Sequence, residues 1–77
     1  MKEKLQKVPL VEIAGHRRVL IENHMGVLAY SLERIQIKVT YGQLVVTGEK
    51  LNLTQLCSEQ LVITGNIQSV SLERRAS

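Results

Sequence analysis

Residues 34 to 42 alternate without a break: Ile35, Ile37, Val39 and Tyr41 fall on one side of an extended chain, and Gln36, Lys38 and Thr40 on the other. A period of two over this length suits a half-buried strand, because helical faces repeat every three to four residues. Shorter stretches of the same kind occur at 10–13, 19–23, 27–32, 44–47, 51–53, 61–64 and 67–72, which predicts seven or eight strands. Gly15, Gly26, Gly42, Gly48 and Gly65 fall between them and can supply the positive φ of tight turns. Thr64-Gly65-Asn66-Ile67 reads as a two-residue hairpin, and residues 23–26 as a four-residue loop with its glycine in the left-handed region.

With 77 residues and 26 Leu, Ile and Val, the chain predicts one small domain with an aliphatic core. A chain of this size buries roughly 60% of the surface its unfolded form exposes, so it has little stability in reserve. The expected layout is a flexible segment at 1–7, a β domain at 8–73 and a basic tail at 74–77. The single Cys57 cannot close an intrachain disulfide, which favours a reducing, cytoplasmic compartment. No apolar run approaches the roughly 20 residues of a membrane span, and the first seven residues lack the apolar stretch of a secretory signal.

The segment 43–48, Gln-Leu-Val-Val-Thr-Gly, returns at 60–65 as Gln-Leu-Val-Ile-Thr-Gly. Short strands at this spacing predict a small β-sandwich, and the echo admits a short β-solenoid as the alternative. If Leu44, Val46, Leu61 and Ile63 face the core, alternation turns Val45 and Val62 outward, with Leu20 doing the same between Val19 and Ile21. Leu20, Val45 and Val62 are therefore the candidate interface, an apolar stripe for a partner or a second copy.

Chemistry has little to build on. The chain has no Asp, and a single His24 beside Glu22 makes neither a closed metal site nor an activated nucleophile. Cys57 is followed by Ser58 and Glu59, an acid rather than the positive charge that lowers a thiol pKa, and reads as a partly buried loop side chain. No glycine-rich loop opens a helix to hold phosphate. With no Phe or Trp and only two Tyr, there is no stacking platform for single-stranded nucleic acid. The expectation is a non-enzymatic protein with no cofactor, no metal, no small-molecule substrate and no nucleic-acid partner. The net charge of +3 comes from Lys2, Lys4 and Lys7, from Arg17 and Arg18, and from Arg74 and Arg75.

One motif is specific. Ile21-Glu22-Asn23-His24-x-Gly26, with Pro9, Gly15, Tyr30, Ile35-x-Ile37, Gly42-x-Leu44-x-Val46-x-Gly48, Leu51-x-Leu53 and Leu61-x-Ile63-x-Gly65-x-Ile67, resembles the YabP/YqfC family of sporulation proteins, in its YqfC branch. The likeness runs from about Val8 to Glu73; Gln6-Lys7-Val8-Pro9 departs from the Leu-Asp-Leu-Pro common among members. The resemblance implies a β-sandwich of immunoglobulin-like outline and a non-catalytic binding module in the mother cell of an endospore-forming bacterium. It also implies an integral-membrane sporulation protein as partner, at the mother-cell or forespore membrane. A homo-oligomer through the same surface is the related form, and a self-assembling spore shell or scaffold the alternative. The family-motif turn, Glu22, Asn23, His24 and Gly26, is the residue set it singles out.

Overall fold

The structure is a computed structural model that describes residues 8–74. Six strands follow one another: β1 Leu10–Ala14, β2 Arg18–Glu22, β3 Gly26–Tyr30, β4 Arg34–Val39, β5 Gly42–Cys57 and β6 Gln60–Arg74. All pairs are antiparallel in one sheet of order β1-β2-β6-β5-β4-β3. The all-β reading holds, with six strands instead of seven or eight, because segments 44–47 and 51–53 are halves of β5 and segments 61–64 and 67–72 are halves of β6. The residues expected as a flexible segment, 1–7, and the end of the expected tail, 75–77, lie outside the described residues. Arg74 belongs to β6 and pairs with Gly42.

The sheet folds over on itself. A straight strand of sixteen residues would span about 50 Å at ~3.3 Å per residue. Yet Glu22, paired beside the β5–β6 turn, and Gly26, paired with Lys38 near the start of β5, are joined by only Asn23, His24 and Met25. That connector reaches at most about 15 Å, so β5 and β6 must bend.

The bend lies where the ladder shifts register, between Thr47 and Gly48 and again between Glu49 and Asn52. Lys50 there takes φ 53°, the mark of a bulge that sharpens twist and redirects a strand. It also switches parity: Leu44 and Val46 point inward before it, Leu51 after it. Gly48 and Gly65 mark the crossing point, because a Cβ on Gly48 would overlap Asn66 O and one on Gly65 would lie 2.5 Å from Lys50 O. Gly65 is therefore a bend within β6 and not a hairpin turn, which falls instead at Ser58 and Glu59.

Folding over brings Val19 and Ile21 of β2, Ile35, Ile37 and Val39 of β4, and Leu44, Val46, Leu51, Leu61, Ile63 and Ile67 of the long strands into one buried cluster. The two layers thus belong to one continuous sheet, not to the two separate sheets of an immunoglobulin-like sandwich. The solenoid alternative fails because the two copies of the repeated segment lie on antiparallel neighbours instead of stacked coils.

The repeat marks an approximate internal two-fold. Arg18 to Ile21 pair with Thr64 to Leu61 in the same register as Arg34 to Ile37 pair with Thr47 to Leu44. The hairpin turns follow suit: Gly65 and Ile67 donate to Arg17 O and His16 O, while Gly48 and Leu51 donate to Glu33 O and Leu32 O. The β1–β2 hairpin thus corresponds to the β3–β4 hairpin 16 residues later, Arg18 falling on Arg34.

Candidate functional site

The Ile-Glu-Asn-His-x-Gly motif is the connector that crosses between the two halves. Its first residues end β2, where Glu22 pairs with Gln60 and its Oε2 accepts from Gln60 Nε2 at 3.0 Å. Asn23 then turns the chain with φ 66°, a left-handed conformation that Asn tolerates better than other side chains. The loop thus has two residues at positive φ, Asn23 and the expected Gly26, which sits at 139°. The N–H groups of Asn23 and His24 both donate to Glu59 O, at 2.7 and 3.2 Å, and Met25 N–H donates to Lys38 O at 2.7 Å. The Asn23 Nδ2 also donates to Val8 O at 2.9 Å, holding the chain just before β1.

His24 is the one buried polar side chain among the described residues, 5% exposed. Its Nδ1 accepts from Gly26 N–H at 3.0 Å, so the neutral ring carries its proton on Nε2. That nitrogen stands 3.0 Å from the Gln55 amide on β5, whose Nε2 also donates to Cys57 O at 2.6 Å. The Gln55 amide serves the ring through its oxygen or Cys57 through its nitrogen. Burial holds the His24 pKa below its ordinary value, against a weaker upward pull from the Glu59 carboxylate. Protonation would strip Nδ1 of its acceptor role, so the arrangement selects neutral imidazole. A ring so enclosed locks the connector.

The three stripe residues are not brought together. Leu20 and Val62 are directly opposed across β2 and β6, both partly buried. Val45 pairs with Ser71, nine positions along β6 from Val62. It is only 3% exposed, flanked by a side-chain chain in which Gln36 donates to Gln43 at 2.9 Å and Gln43 to Glu73 at 3.1 Å. Val45, expected as an outward apolar side chain, is instead buried, although it stands outside the main core cluster. Cys57, expected partly buried, is exposed at the end of β5.

Among the described residues no group of three His, Cys, Asp or Glu is placed to hold a metal, and no helix is long and apolar enough to cross a membrane. The sequence profile of the YabP family matches residues 6–77. The chain belongs to the YabP family. It is similar to the uncharacterized protein YqfC of Bacillus subtilis (strain 168), 24% identical over 66 residues that cover 86% of this chain and 71% of that one. No solved structure matches it.

What sequence reasoning missed in this YabP-family chain is the exposed apolar surface of its hairpins. Leu10 and Ile13 of β1 are 53% and 56% exposed, and Leu28 of β3 is 55% exposed. Val11 and Ile13 stand opposite the buried Ile21 and Val19, so they lie on the core side where no layer covers them. Alternation alone assigns such residues to the core, and only the fold shows that the cover stops short. A groove of about 530 Å³ also opens beside Met25, Leu28, Lys38, Val39, Glu73 and Arg74.

Proposed function

We propose that this protein is a non-catalytic binding module of endospore formation, acting in the mother cell and docking to an integral-membrane sporulation protein at the cytoplasmic face. Membership of the YabP family supports the sporulation setting. The observation that carries the binding role is the pair of hairpins whose outermost strands leave Leu10, Ile13 and Leu28 more than half exposed. A chain this small has little apolar surface to spare, and large side chains left open on edge strands are what an edge-binding partner covers. Docking would also stabilise the module, since a ligand that binds only the folded state adds to its stability.

A structural role in a spore-associated shell is the second reading, favoured by the sheet's open edges. Deletion in an endospore-forming host, with a complementing copy, is expected to lower the count of heat-resistant spores. Ile13→Lys with Leu28→Lys is expected to fail to complement while keeping its strand signature in circular dichroism, and to lose recovery with the membrane fraction. Full complementation by that double variant would sink the docking reading. Polydisperse assemblies that grow with concentration would favour the shell.

A further inference from the structure

Among the described residues, four stretches of the sheet have a strand on one side only. They are β1, β3, the second half of β5, which β4 does not reach, and the second half of β6, which β2 does not reach. Three of them carry a device against further pairing. The β1 edge is five residues long with Glu12 at its centre, so pairing two copies about that centre sets carboxylate against carboxylate. The β3 edge is interrupted by a bulge between Val27 and Ala29. The β5 edge is capped by Leu32 O on Leu51 N–H and by Tyr30 Oη on Leu53 N–H.

Among the described residues, the fourth edge carries none of these beyond Gln68. After Ile67 N–H, which meets His16 O, and a bulge at Gln68, β6 runs in regular register from Ser69 to Arg74 without proline or cap among the described residues, and every residue from Gln68 to Arg74 is exposed except the half-buried Val70. The internal two-fold makes the contrast specific. Tyr30, which caps β5, corresponds to Ile13, which has no hydroxyl to offer β6. An uncapped edge with unmet N–H and C=O groups is a template for another strand.

We propose that a second copy of this chain docks on the outer edge of β6, as an antiparallel strand pair centred on Ser71. A two-fold axis perpendicular to the sheet must pass through one residue, and Ser71 is the choice that makes the edge complementary to itself. It sets Val70 of each copy opposite Leu72 of the other and Ser69 opposite Glu73, the regular stretch beyond the bulge at Gln68. Apolar meets apolar, and no like charges face each other. Centring on Leu72 instead would set Val70 against Arg74. Val70 already packs on the core and Leu72 is 43% exposed, so pairing extends the existing apolar surface. The result is a twelve-stranded sheet with both copies' β1 and β3 hairpins still open, independent of any membrane partner.

Sedimentation across micromolar to millimolar concentration tests this together with oxidative cross-linking in a Cys57→Ser background. Cα atoms paired at the axis stand about 4.5–5.5 Å apart, within disulfide reach, so Ser71→Cys should cross-link readily. The two copies of residue 69 would be about 14 Å apart, so Ser69→Cys should not. Leu72→Pro removes an N–H that faces this edge and should give monomers. Leu72→Lys, at a side chain already open to solvent, should weaken the dimer by about tenfold or more and reads the same edge if the proline variant unfolds. A monomer at all concentrations overturns the proposal, and so does a dimer that cross-links through residue 69 or survives both β6 substitutions.

Discussion

His24 shows how one side chain can make a turn specific. Its ring is buried between Gly26 N–H and Gln55, and burial lowers its pKa from the ordinary 6.5. Because the folded ring titrates below the unfolded one, the unfolded chain takes up the proton first as pH falls through about 6.5. Stability is therefore expected to be full above that pH, to decline as pH falls through the window down to the folded pKa, and to level off below it. Denaturant titrations between pH 5 and 8 check this. His24→Asn, which keeps a side-chain acceptor for Gly26 N–H but does not titrate, should remove the histidine's part of the slope. An unchanged slope would place the pH dependence elsewhere. The imidazole was legible in the sequence as a turn residue, and its burial was not, because Gln55 is 31 positions away.

At the scale of the element, the long strands depend on two glycines for different reasons. Gly48 has no room for a Cβ against Asn66 O, and Gly65 combines φ 132° with a close approach to Lys50 O. Gly48→Ala and Gly65→Ala are each expected to destabilise by about 3 kcal/mol, from overpacking in the first and added backbone strain in the second. Gly15 has φ 58° and nothing within 4 Å, so Gly15→Asn should stay within about 1 kcal/mol of the parent. Thermal melts of the three variants distinguish these outcomes, and equal losses would refute the crossing-point role. The repeated Gln-Leu-Val-x-Thr-Gly segment was visible in sequence. The 16-residue correspondence of the hairpins was not, since Leu10-Val11 and Gly26-Val27 share a register but only the valine, and the bulge after Val27 then aligns Ile13 with Tyr30.

For the whole molecule, the single buried cluster couples the two halves. Ile21 and Ile37 occupy corresponding places in them, each fully buried. Ile21→Ala and Ile37→Ala are each expected to lower stability by about 3 kcal/mol, the usual loss for emptying such a site, and to do so in one cooperative transition. Two separated transitions in calorimetry would mean that the halves are independent units. The sequence by itself determined the all-β class, most strand positions, the inward parity of Ile35, Ile37, Leu44, Val46, Leu61 and Ile63, and the family, because alternation, turn residues and a short motif are local properties. Tertiary structure alone decided that 44–47 and 51–53 form one bent strand, that Val45 is covered while Ile13 is not, and which edge of β6 stays uncapped. Those outcomes depend on which residues distant in sequence stand opposite one another, and a pattern of period two carries no record of that.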